Sequence, residues 1–139
     1  MKVMVFGTFD NLHPGHRDYF RQARRFGEEL IVVVARDKNV LQIKGRLPQE
    51  DEKRRIKKAR MALKELNFCS RAVLGGIKNR WSVLKKFQPD FICLGYDQKV
   101  DLRKLKDEIA KFRLCCKIKR MKPYHPEKYK SSYCRVIKL

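Results

Sequence analysis

Five short apolar runs, at 2–6, 30–35, 70–74, 91–94 and 116–121, are separated by segments whose apolar residues recur at helical spacing. This alternation is the pattern of an α/β fold: an open, mostly parallel five-stranded sheet with helices on both faces. In 16–26, Tyr19, Phe20, Ala23 and Phe26 share one helical face while Arg17, Arg21, Arg24 and Arg25 project elsewhere, and Gly27 ends the helix. In 49–66 the same arrangement uses Ile56, Ala59, Leu63 and Leu66, opened by Pro48 and an acidic first turn that suits the helix dipole. Trp81, Leu84 and Phe87 mark a shorter helix, and Leu102, Leu105, Ile109 and Phe112 a fuller one. A last, brief helix is expected from about Ser131. No internal repeat and no Ser/Gly-rich linker divides the chain, so a single domain over 1–139 is expected, with the aromatic and leucine positions packed in its core.

Composition narrows the partners more than the fold. With 43% hydrophobic residues, seven glycines and five prolines in 139, the chain has neither the signature of disorder nor a low-complexity tract. Its longest apolar run, at 30–35, is far too short to span a bilayer, and a cytoplasmic location is expected. Five cysteines, Cys69, Cys93, Cys115, Cys116 and Cys134, form no CxxC pair and are expected to be reduced and mostly buried. Thirty-five Lys and Arg against fifteen Asp and Glu, a net charge of +20, call for anionic partners. Charge of this kind attracts phosphorylated small molecules and nucleic acids alike, so a motif has to separate them.

That motif is "GTFDNLHPGH", residues 7–16, directly after the first strand. In an open α/β sheet, ligands gather beyond the carboxyl ends of the strands, where a turn delivers backbone N–H groups and a helix N-terminus. Gly7 allows close approach there, Thr8 and Asp10 can hydrogen-bond within the turn, and Pro14 suits the first helical turn. His13 and His16 then stand at one helix entrance, where imidazoles beside a phosphate can stabilise the charge of a transfer reaction. Two other readings compete. Metal ligation wants a third protein ligand and only His125 remains, so no residue is assigned to a metal. The two histidines could instead serve as helix caps. Neither GxxxxGK[ST] nor GxGxxG occurs.

The stretch resembles the GTFDxxHxGH signature of the cytidylyltransferase-like family of nucleotidyltransferases, and the resemblance runs over essentially the whole chain. Within that family, "VVVARD" (32–37), "LGYDQ" (94–98) and "PYHPEKYKSS" (123–132) look most like the archaeal-type FAD synthases, which are FMN adenylyltransferases. The resemblance implies a Rossmann-like sheet, a homodimer, and direct in-line attack of a substrate phosphate on the α-phosphate of a nucleoside triphosphate, without a covalent intermediate. His13 and His16 are then expected to contact the triphosphate. Gly7, Thr8 and Phe9 would offer backbone groups to it, and Asp10 would hold the loop. Lys44 matches a family lysine that reaches the phosphates from a mobile loop, with simple solvation or substitution by Arg46 as alternatives.

Gly95 and Asp97 follow the fourth strand at the same sheet edge. The family places the nucleoside there, although Asp97 could equally be a turn former. Ser131 and Ser132, before the last helix, are expected to bind a phosphate, and Arg120 to pair with one. Arg54 is a further phosphate candidate, one residue from Arg55. The expected reaction joins ATP and FMN into FAD and pyrophosphate, with a divalent cation, Mg²⁺, screening the triphosphate. Two alternatives remain: CTP with a phosphorylated alcohol such as glycerol 3-phosphate, although the RTxGIST-type segment of that branch is absent, and a nucleic-acid-binding protein on the same scaffold. The last is not favoured, since a pure binder has no need of His13, His16 and a lysine loop and the chain carries no RNP-type strand.

Overall fold

Along the first strand, β1 (Lys2–Gly7), Val3 and Val5 face one side of the sheet and Met4 and Phe6 the other, and all four are buried. A strand apolar on both faces belongs in the middle of a covered sheet. The computed structural model of the chain, which describes residues 1–67 and 69–123, places it there. β1 is flanked by β2 (Glu29–Val34) on one side and β4 (Phe91–Leu94) on the other, with β3 (Ser70–Leu74) and β5 (Lys117–Arg120) at the edges. The order is β3-β2-β1-β4-β5 and every pairing is parallel.

One face packs Val3, Val5, Leu30 and Val32 under α1 (Pro14–Arg24) and α3 (Glu52–Glu65), which contribute Phe20 and Ala23, and Ile56, Ala59, Ala62 and Leu63. The opposite face packs Met4, Phe6, Ile31 and Val33 under α4 (Ser82–Phe87) and α5 (Leu102–Lys111), through Leu84 and Phe87, and Leu105 and Ile109. The chain runs outward from β1 through β2 to β3, then returns to the other side of β1 for β4. The carboxyl ends of β1 and β4 therefore diverge into a switch-point crevice, where α/β sheets take their ligands.

All five expected strands form, with bounds differing by at most one residue. The helices differ more. α1 starts at Pro14 instead of residue 16 because His13 caps it, and α3 starts only at Glu52, after Asp51 accepts the Arg54 N–H at 2.8 Å. The stretch around Lys44, expected as a mobile loop, is instead a helix, α2 (Asp37–Lys44), closed by Gly45 in the left-handed conformation (φ 75°). Only Val40 of this helix is buried, too little for a periodic apolar stripe to announce it. The expectation of mostly buried cysteines fails for two of the four described. Cys93 is buried in β4, but Cys69 and Cys115 lie exposed just before the edge strands β3 and β5. The last expected helix, with Ser131 and Ser132, lies outside the described residues.

Candidate active site

Beyond the carboxyl ends of β1 and β4 lies a cavity of about 630 Å³. Gly7, Thr8, Phe9, Asp10, His13, His16, Lys44, Gly95 and Asp97 all line it, so nine of the expected residues come together. Gly7 is required by packing: a Cβ there would come within 2.7 Å of the Phe9 ring, which folds back beneath it. Phe9 itself takes a left-handed backbone (φ 53°), which is unfavourable by about 1–2 kcal/mol for a bulky residue. Burial of its ring against Phe20 and His16 offsets that cost.

The turn is clamped from outside the motif. The buried Asp10 carboxylate accepts the backbone N–H groups of Gln49 (2.8 Å) and Glu50 (3.0 Å), and Glu50 in return accepts the Asn11 N–H at 2.8 Å. Arg55, 0% exposed, donates to the Thr8 carbonyl (2.8 Å), the Glu50 carbonyl (3.1 Å) and Asp37 (2.6 Å). It ties α3 and α2 to the glycine turn. Arg54, its exposed neighbour, pairs with Glu50 and is not among the cavity-lining residues. Only Arg55, then, has a positioning role, and sequence spacing could not separate the two arginines.

The two histidines form a reciprocal cap. His13 Nδ1 accepts the Gly15 N–H (3.1 Å), His16 Nδ1 accepts the His13 N–H (3.2 Å), and the rings stack with centroids 3.9 Å apart. Since each Nδ1 accepts, each neutral imidazole carries its proton on Nε2. Burial, with a smaller contribution from the neighbouring His13, pulls the His16 pKa down to about 3, against an opposing pull from Asp10. His16 is therefore a neutral N–H donor at physiological pH.

Lys44, the last residue of α2, donates through Nζ to Thr8 Oγ1 at 3.2 Å, which brings an ammonium over the glycine turn. On the far side, the Gln98 side chain accepts the Gly95 N–H (3.0 Å) and donates to the Phe6 carbonyl (2.9 Å), bridging the β4 turn to β1. Asp97 is exposed at the cavity rim. Arg120 does not line the cavity; its guanidinium donates to the carbonyls of Gly95 (2.8 Å) and Gln98 (2.6 Å) and braces that turn. Gln98, Tyr19, whose hydroxyl donates to the Cys93 carbonyl, and Arg80 were not expected at the site. Gln98 closes the "LGYDQ" stretch, but its bridge to β1 depends on strand order, which also delivers Arg80, and no local pattern marks Arg80.

The arrangement offers a cradle of neutral and cationic donors at the entrance of one helix, suited to an oligophosphate. The sequence model of the cytidylyltransferase-like family matches residues 4–137. A protein named FAD synthase from Aciduliprofundum boonei is 39% identical over 89% of this chain and 80% of its own length, and another from Methanothermobacter thermautotrophicus is 37% identical over 98% and 88%. Among solved structures, the lipopolysaccharide core biosynthesis protein from Thermoplasma volcanium superposes with a TM-score of 0.76 at 38% identity, over 89% of this chain and 98% of that one. The family match begins inside β1 and takes in every described strand and helix that follows, and on that ground this chain belongs to the cytidylyltransferase-like family.

Proposed function

We propose that this chain is an FMN adenylyltransferase, transferring AMP from ATP to FMN. The nucleotidyl-transfer part rests on the capped histidine pair at the switch-point crevice, and the choice of acceptor on the relatives named FAD synthase. In the reaction an oxygen of the FMN phosphate attacks the α-phosphorus of ATP. The new O–P bond forms as the bond to the β-phosphate oxygen breaks, and pyrophosphate leaves with that electron pair. His13 and His16, protonated on Nε2, donate to the phosphate oxygens on which charge accumulates, and Lys44 balances the departing pyrophosphate. Asp10 and Arg55 touch no substrate; they hold the turn that places these donors. Gly95 and Asp97 face the nucleoside.

Mg²⁺, when bound, screens the triphosphate. Its ligands would be chiefly the phosphate oxygens of the nucleotide, as is usual for this ion.

Chromatographic product analysis with Mg²⁺ and FMN, separately with ATP and with CTP, tests the proposal. FAD from ATP, reduced 10²- to 10³-fold in His16→Ala, is the expected result, by analogy with removal of one transition-state donor. A cytidylyl product from CTP and glycerol 3-phosphate, with no FAD, would replace the acceptor and the base while leaving the transfer chemistry in place.

A further inference from the structure

Arg80 is a cavity-lining cation that the catalytic cradle does not use. Its guanidinium lies over the Trp81 indole, 4.2 Å from the ring centroid, and that indole is 3% exposed and packed edge-on against Phe6. The segment carrying it is held on several sides. The Gly75 N–H donates to the Val34 carbonyl at 2.9 Å, Arg36 donates to the Gly75 carbonyl at 2.9 Å and Asn39 to the Gly76 carbonyl at 2.8 Å. Asn79 accepts the Trp81 N–H at 3.0 Å, and a Cβ on Gly76 would lie 2.1 Å from the Asn79 carbonyl oxygen. Among the described residues no carboxylate or carbonyl takes up the Arg80 guanidinium. Burial pulls its pKa below the usual arginine value, so an arriving anion restores interactions lost with water.

The position of Arg80 identifies the anion. The crevice has two wings about the histidines. One, beyond β4, is formed by Gly95, Asp97, Lys99 and Lys122; the other, beyond β2 and β3, by Val33, Val40, Ile43 and Arg80. With the nucleoside in the β4 wing and the triphosphate on the glycine turn under Lys44, the β2/β3 wing is left for the acceptor. Its wall is apolar, and Ile43 is 62% exposed at its rim. A triphosphate has no use for such a wall. A phosphorylated molecule with a flat, apolar ring system uses both the wall and the cation.

We infer that Arg80, stacked on Trp81, receives the phosphomonoester of the acceptor, while Val33, Val40 and Ile43 cover the acceptor's apolar part. This rests on the adenylyltransferase reading above. A planar guanidinium engages two phosphate oxygens and leaves the third to attack, and it offsets the repulsion between two approaching phosphate groups.

Trp81 is the chain's single tryptophan, so its emission reports the site directly. The experiment titrates wild type, Arg80→Gln and Arg80→Lys with FMN and with riboflavin, in the presence of Mg²⁺ and α,β-methylene ATP, which cannot transfer its adenylyl group. FMN should bind wild type about 10- to 100-fold more tightly than riboflavin. In Arg80→Gln that advantage should vanish with riboflavin affinity unmoved, and Arg80→Lys should restore part of it. In turnover, the KM for FMN should rise and that for ATP stay the same. Unchanged FMN binding in Arg80→Gln, or a loss in ATP binding instead, would overturn the assignment. If wild type makes no FAD, the adenylyltransferase reading fails separately. The KM for glycerol 3-phosphate with CTP then decides Arg80, a rise in Arg80→Gln supporting the phosphomonoester site and no change overturning it.

Discussion

A single imidazole can begin a helix and serve a phosphate, because its two nitrogens do different work. In His16, Nδ1 completes the cap and thereby puts the proton on Nε2. Helix capping and phosphate contact, which the spacing of His13 and His16 presents as competing readings, are compatible in one geometry. The burial that keeps His16 neutral has a measurable consequence for stability. Its folded-state pKa, about 3, lies below the unfolded value of 6.5, so between these the unfolded chain binds more protons and stability rises with pH. The contribution is fully present above pH 6.5 and is lost progressively as pH falls toward 3. Denaturant melts at pH 7.5 and pH 5 should therefore differ by about 2 kcal/mol more in wild type than in His16→Gln. Equal pH dependence in the two would show that His16 titrates normally in the folded protein.

Between elements, the glycine turn depends on two side chains of α2 and α3, Asp37 and Arg55, that do not line the cavity. Arg55 reaches from the first turn of α3 to the Thr8 carbonyl and to Asp37 at the start of α2. Removing one partner of a buried ion pair is destabilising by about 3–5 kcal/mol. The partial exposure of Asp37 puts Arg55→Met near the low end of that range, while Arg54→Met, on an exposed residue, should change stability by less than about 1 kcal/mol. Chemical denaturation of the two variants side by side measures the difference. At this scale legibility was uneven. β1 to β5 could be read because each carries a continuous or alternating apolar run. α2 could not, because it buries Val40 alone and leaves Leu41 and Ile43 exposed, and its one clear signal was Gly45 as a C-cap. The near end of the site was legible from ten consecutive residues after β1. At the far end Gly95 and Asp97 were legible from "LGYDQ", whereas the bridging role of Gln98 and the arrival of Arg80 were not, since both depend on the order of the strands.

For the whole molecule, the net charge of +20 bears on encounter more than on architecture. Most of the Lys and Arg among the described residues are exposed, where salt screens them. As ionic strength rises from about 0.01 to 0.1 M, the Debye length contracts from about 30 to about 10 Å, and kcat/KM for the nucleotide should fall several-fold with kcat unchanged. Stopped-flow or steady-state kinetics across that range tests this; a flat kcat/KM would mean that the basic surface does not steer substrate. The central position of β1 has a consequence of a different kind, for synthesis. The first strand made is the middle strand of the finished sheet, and α1 and α3 can cover one of its faces early. Its other face, with Met4 and Phe6, has to wait for residues beyond 80. A half-covered sheet therefore exists while the ribosome is still translating, so the tempo of elongation between β3 and α5 sets how long this chain is open to aggregation and to chaperones.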